Sequence, residues 1–301
     1  MIIVIHENND WIPPFVEAFQ RLNIDYRLWY VPDMDLDLTE TPPHAVYWNR
    51  MSASSHPRGH RFEPELTAGI LAWLSRHKMK VINGGAALDL EISKIRQYEE
   101  LARFAIKTPS TVCAIKRDRL LKASDRVGFP LITKHNRAGK GLGVRKFDNK
   151  DMLKVYLEAE DFENSPDGIT LLQEYISAPT QSIIRMEFVN YKFLYAVEVD
   201  TSEGFELCPA EACEIESHCP TDSQNKFRIL SDFSIPNLTA FEQFLTANDI
   251  RIAGIEIIFD HEGNYWAYDV NTNTNYNPQA ESLAGISAPD AIARLLMSFD
   301  Y

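Results

Sequence analysis

Residues 254–277, GIEIIFDHEGNYWAYDVNTNTNYN, constrain this chain more than any other stretch. Two strand-like runs, 255–259 and 265–270, flank a His-Glu-Gly-Asn turn, the pattern of a β-hairpin. Pairing them sets Glu256 against Asp269 and Asn271. A single residue separates the latter two, so both side chains leave the same face of their strand. Three oxygen donors, two of them anionic, then converge on one sheet face. Such a set suits a hard divalent cation, Mg²⁺ first and Mn²⁺ as an alternative, with a nucleotide's phosphates completing the shell.

Residues 129–147, FPLITKHNRAGKGLGVRKF, carry a second signal. A short apolar strand, 130–133, delivers Lys134 to a loop containing Gly139, Lys140, Gly141 and Gly143, and strand-like 144–147 follows. Glycines let a backbone approach a ligand closely, and successive N–H groups in such a loop can form an anion-binding nest. Lys134, Arg137, Lys140 and Arg145 add positive charge. The loop lacks the GKS or GKT of a Walker-type site, and no helix follows it directly. A third run, LLQEYI at 171–176, ends in Gln173, Glu174, Tyr175 and Ile176. A strand end of this kind can offer backbone N–H and C=O groups to an adenine edge, with apolar side chains on the ring faces.

Taken in this order, the three signals resemble the ATP-grasp ligases, in particular the branch containing the ribosomal-protein glutamate ligase and glutathione synthetase. The resemblance covers residues from about 80 to the end. It implies an ATP-grasp fold of the α/β (α+β) class. Residues 1–90 would form an N-terminal α/β pre-ATP-grasp domain. Residues 91–301 would form the ATP-grasp domain, with a lid subdomain at about 108–175 and a C-terminal subdomain at about 176–301. It also implies residue roles. Lys94 and Lys134 match the nucleotide-contacting lysines, and Gly139 to Gly143 the loop that closes over the triphosphate. Gln173 to Ile176 match the adenine hinge. Arg185 matches the arginine beside the reacting acyl phosphate, and Lys134 is counted with it in catalysis. Glu256, Asp269 and Asn271 match the metal ligands. ATP and Mg²⁺ are the implied cofactors. The implied activity is ADP-forming ligation of a carboxylate to an amine, on an amino acid or small peptide. Homo-oligomers are common in the family.

The chain departs from the family pattern in several places. Asp269-Val-Asn271 replaces the usual Glu-x-Asn, and Ala105 stands where glycine is usual. Gln181 and Ser182 stand where an acid is often found near the ribose. These departures keep one alternative open, a nucleotide-binding module without ligase activity; an ATP-grasp-type kinase is a further alternative.

Composition narrows the partners. The 301 residues carry a net charge of −13. This argues against nucleic acid, which needs an extended basic footprint, and against an anionic membrane surface. No apolar run is long enough to span a bilayer. The N-terminus reads as a first strand rather than a signal peptide. Four cysteines without a secretory context point to reduced thiols in the cytoplasm. Cys208, Cys213 and Cys219 with His218 are not spaced as two tight pairs, so they read as ordinary small residues rather than a zinc site.

Apolar periodicity predicts strands at 2–5, 26–31, 45–48 and 80–82, with helices at 13–22 and 63–77, an α/β alternation. Further helices are expected at 91–104, 116–127, 150–160, 238–247 and 289–299. Strands 183–189 and 192–199 should form a hairpin through Asn190 and Tyr191. The loop 49–61, NRMSASSHPRGHR, follows a strand end, where open α/β sheets place ligand sites. Arg50, Ser52 and Arg58 are its candidate substrate contacts, with Asn273 from the far end of the chain. His6, Glu7 and Asn8 are expected to line the same crevice.

Overall fold

Strand–helix alternation in the first 85 residues builds a parallel sheet. The computed structural model describes residues 1–139, 141–202 and 226–299. Within it, Tyr26–Tyr30, Ile2–His6, Val46–Arg50 and Lys80–Ile82 lie side by side in that order, all parallel. A parallel sheet is covered on both faces, and the two central strands are buried at every position. Ile3, Ile5 and Tyr47 pack with Ile70, Leu71 and Leu74 of helix Glu63–Arg76. Ile2, Val4, Val46 and Trp48 face the other way. They meet Phe15 and Phe19 of helix Pro13–Arg21 together with Ile292 and Leu296 of helix Ala288–Met297. The first and last helices therefore share a core, and Arg21 pairs with Asp290 beside it.

A second sheet is antiparallel, in the order Thr111–Ala114, Thr170–Glu174, Leu131–His135, Arg145–Phe147. Helices Arg117–Val127 and Lys150–Glu158 cover one face, around Leu120, Leu131, Leu153 and Leu172. The third sheet is also antiparallel, in the order Phe227–Leu230, Lys192–Asp200, Ser182–Val189, Ile252–Phe259, Tyr265–Asn271. Its strands alternate. Ile184, Met186 and Phe188, with Ile255 and Ile257, pack against Phe241 and Phe244 of helix Leu238–Ala247. Arg185, Glu187, Gly254 and Glu256 take the opposite face, as a period of two requires.

Two details depart from expectation. The helix expected over 91–104 runs from Lys94 to Arg103, and an unexpected helix, Gly85–Glu91, precedes it. Ser93 separates them by capping the second, its Oγ accepting from the Arg96 N–H at 3.4 Å, so Lys94 opens a helix rather than sitting within one. The strand expected at 255–259 begins at Ile252. The 189–192 hairpin turns as expected, with Asn190 and Tyr191 both at positive φ, the primed turn that suits strand twist. No helix among the described residues is long and apolar enough to cross a membrane.

Candidate functional site

A cleft of about 290 Å³ opens between the second and third sheets, close to the size usual for small-molecule sites. Ile132, Leu142, Val144 and Ile258 give it apolar walls, and Gln173, Glu174, Tyr175 and Ile176 line it from the end of strand Thr170–Glu174. Lys94, Lys134, Arg185, Glu256, Asp269 and Asn271 line the same cleft.

The hairpin forms with Glu256 directly opposite Asp269 and Gly254 opposite Asn271. The register shifts just after Glu256, leaving Tyr268 as an extra residue. Both Tyr268 and Asp269 consequently line the cleft. Asn271 Nδ2 lies 3.4 Å from Glu256 Oε1. Burial and the neighbouring Asp269 raise the Glu256 carboxyl above its ordinary range. Burial pushes Asp269 the same way, but Lys94 and Lys134 outweigh it and the carboxyl falls below its ordinary value. Lys94 Nζ donates to Asp269 Oδ1 at 2.6 Å. Lys134 Nζ donates to the Tyr268 carbonyl at 2.8 Å and to the Tyr98 hydroxyl at 3.2 Å. Burial lowers the Lys134 ammonium, partly offset by Asp269 and Glu256.

Do these donors fit a metal? No group of three or more His, Cys, Asp or Glu side chains among the described residues could hold an ion. The hairpin offers two carboxylates and an amide. That is too few to enclose a cation but suits one that takes its remaining oxygens from a nucleotide and water, as Mg²⁺ does.

Arg185 is held from several sides. Its Nε lies 2.8 Å from Glu187 Oε1, its Nη1 3.8 Å from Glu256 Oε1, and its Nη2 contacts Thr274 Oγ1. Gly254 runs beneath the guanidinium, where an added Cβ would come within 2.7 Å of Nε.

In the glycine loop, Gly139 and Gly141 line the cleft. Gly143 does not, and its role is steric: φ is +71°, and a Cβ would meet the His135 ring at 2.4 Å. Lys140, like Cys208, Cys213, Cys219 and His218, lies outside the described residues.

The N-terminal loop divides. Ser52 lines the cleft, as does Asn273 from the far end of the chain. Arg50 and Arg58 are not among the lining residues, which corrects the expectation that they face a substrate. Arg50 is buried and donates to the carbonyls of Trp11 and Thr274 and to Asn275 Oδ1, each at 2.9 Å. Arg58 pairs with the buried Glu7 carboxylate at 2.5 Å and stacks over Trp11. His6, Glu7 and Asn8 are likewise absent from the lining.

Several supporting residues escape sequence reasoning. Glu91 accepts from Ala53 N–H at 3.1 Å and from Thr272 N–H at 2.7 Å, joining two cleft loops. Gln97 brackets Val270, donating to its carbonyl at 2.9 Å and accepting from its N–H at 3.0 Å. Gln97 lies one turn from Lys94, the spacing that places both on one helix face, and this was the available signal. Glu91 offered none.

Residues 92–206 match the RimK-like ATP-grasp domain family; the 252–271 hairpin lies beyond that match. The α-aminoadipate–LysW ligase LysX of Saccharolobus solfataricus is 33% identical over 104 residues, covering 34% of this chain and 38% of LysX. The match thus spans well under half of that relative. Among solved structures, a RimK domain ATP-grasp protein from Sphaerobacter thermophilus superposes with a TM-score of 0.67 at 16% identity, covering 99% of this chain and 100% of that one. The ATP-grasp ligase PsnB, solved with minimal precursor, Mg and ADP, superposes at 0.65 and 14% identity over 99% and 96%. Residues 92–206 therefore carry a RimK-like ATP-grasp domain, and the fold along the whole chain matches that of solved ATP-grasp structures.

Proposed function

We propose that the chain is an ATP-dependent, ADP-forming carboxylate–amine ligase acting through an acyl phosphate on an amino acid or small peptide. The observation that carries this is the single cleft in which Lys94, Lys134 and Arg185 meet Glu256, Asp269 and Asn271. LysX is a ligase by name, and PsnB was solved with a precursor, Mg and ADP, which supports a carboxylate-bearing substrate and this cofactor pair. An exposed free thiol at Cys113 suits a reducing, cytoplasmic setting.

Each residue has a task in that reaction. The hinge at Gln173–Ile176 receives the adenine. Lys94 and Lys134 set positive charge against phosphate oxygens. Glu256, Asp269 and Asn271 would hold Mg²⁺, which when bound offsets phosphate charge. A substrate carboxylate oxygen attacks the γ-phosphorus and the bond to ADP breaks. An amine nitrogen then attacks the acyl carbon, the carbon–oxygen bond to phosphate breaks, and the amine loses a proton. Arg185 faces the negative charge that develops. The loop around Gly139 and Gly141 excludes water from the acyl phosphate. Ser52 and Asn273, which line the cleft, would touch the substrate.

The test is coupled ADP and phosphate release with MgATP against amino acids, singly and in pairs. A ligase gives both products together with a particular pair. Transfer of phosphate to a product without free phosphate would replace the ligase by a kinase. Glu256→Gln and Asp269→Asn should each abolish turnover; wild-type turnover in either would remove the metal assignment.

A further inference from the structure

We propose that Glu187 is a positioning residue that holds Arg185 away from Glu256, so that a divalent cation can take the Glu256 carboxylate. The inference rests on the metal reading above. Arg185 and Glu187 leave the same face of strand Ser182–Val189, and Arg185 stands between two buried carboxylates. Its Nε lies 2.8 Å from Glu187 Oε1, whereas Nη1 is 3.8 Å from Glu256 Oε1, beyond hydrogen-bond reach. Glu187 is 1% exposed and is not among the cleft-lining residues, so it sits behind the wall that Arg185 and Glu256 present to the cleft.

The surroundings fix this arrangement. Thr274 Oγ1 donates to Glu187 Oε2 at 2.9 Å and contacts Arg185 Nη2. Glu187 stands against Nε as an ion pair without an aligned hydrogen bond, Thr274 contacts Nη2, and Nη1 points toward Glu256. Gly254 leaves room for this pose and no other side chain beneath it. Without Glu187, the Glu256 carboxylate stays 3.8 Å from Nη1. Charge-assisted pairs close to about 2.7–2.9 Å, so the guanidinium would move onto Glu256 and compete with the cation.

The experiment uses the full chain and follows the ADP-dependent rise in melting temperature as MgCl₂ is titrated. Glu187→Ala should raise the Mg²⁺ midpoint about 10–100-fold, the scale on which an outer partner tunes a metal site. Glu187→Gln keeps an oxygen acceptor toward Nε and should give a smaller rise. Adding Arg185→Ala to either variant should return the midpoint to that of Arg185→Ala alone, an effect that a purely structural role would not produce. A rise that persists without Arg185, or no rise in either Glu187 variant, overturns the proposal. Should Glu187→Ala fail to fold, the Gln variant and its Arg185→Ala double carry the comparison. An ADP-dependent shift in the wild type that ignores Mg²⁺ would overturn the metal reading and this inference with it. Mg²⁺ dependence with unchanged variants would overturn this inference alone.

Discussion

Lys94 Nζ lies 2.6 Å from Asp269 Oδ1, joining the first turn of one helix to a strand 175 positions later in the chain. Both groups are buried, so neither is satisfied by water if its partner is lost. Breaking such a pair from one side costs about 3–5 kcal/mol, because the remaining charge is stranded. Lys94→Met should therefore lower the urea midpoint at neutral pH. Lys94→Met combined with Asp269→Asn should cost less than the two single changes summed. The pair also has a pH signature. Asp269 titrates below its unfolded value, so its stabilisation is present above the ordinary carboxylate range and is lost as pH falls through the folded pKa. Lys94→Met should weaken that acid-side dependence. Additive single-variant costs would show that the two groups do not depend on each other.

Gly254→Ala tests the mould beneath Arg185. The new Cβ would lie 2.7 Å from Arg185 Nε and 2.8 Å from Thr274 Oγ1. Both are clamped, so the methyl group cannot be absorbed by a free rotamer. Overpacking of this kind costs about 1–3 kcal/mol. A guanidinium displaced by about 1 Å should reduce kcat by about a hundredfold. Steady-state ADP release beside a melting curve separates the two effects. A variant with full activity would mean that Arg185 tolerates displacement.

What was legible in the sequence follows from the range of each interaction. The hairpin could be read because its strands are adjacent and the period of two fixes which residues share a face. It placed Glu256 opposite Asp269 correctly. The helical faces and the Asn190-Tyr191 turn are local in the same sense. Arg50 is not legible in this way: its partners, the Trp11 and Thr274 carbonyls and Asn275, come together only in the folded chain, and a charged loop residue gives no sign of turning inward. The same holds for Glu91: its partners are backbone N–H groups at Ala53 and Thr272, and a backbone donor leaves no trace in the sequence. The start of helix Lys94–Arg103, three residues later than expected, is open to local reasoning, since Ser93 is a good N-cap residue.

The N-terminal sheet carries a pH dependence of its own. Burial depresses the His6 imidazole to about 4, with Arg50 adding to the effect. The unfolded ring titrates near 6.5. Between those values the unfolded chain binds more protons, so stability falls as pH drops through that window. His56 is depressed to about 4 as well, chiefly by burial, and adds to the same slope. His6→Phe keeps an aromatic ring beside Tyr30 and should flatten, without abolishing, the change in urea midpoint between neutral pH and pH near 5. An unchanged slope would assign the effect elsewhere.

Asn83 ties the N-terminal sheet to the candidate metal hairpin. Its Nδ2 donates to the carbonyls of Ile252 at 2.7 Å and Thr272 at 2.9 Å, and its Oδ1 accepts from the Arg251 N–H at 3.0 Å. Its own carbonyl accepts from Asn49 at 2.9 Å. The residue sits at φ +54°, a conformation asparagine tolerates better than most. Asn83→Asp preserves the shape but loses both side-chain donors, setting a carboxylate against two carbonyls. Asn83→Ala also removes the acceptor and places a residue less suited to positive φ. Each buried group left unpaired costs about 1–3 kcal/mol. Both variants should melt well below the wild type. Because strand Ile252–Phe259 carries Glu256, both should also need more Mg²⁺ for the same ADP-dependent stabilisation. Wild-type Mg²⁺ dependence in a destabilised Asn83 variant would show that the hairpin holds its geometry without this tie, through contacts such as Gln97 at Val270, Lys134 at Tyr268 and Glu91 at Thr272.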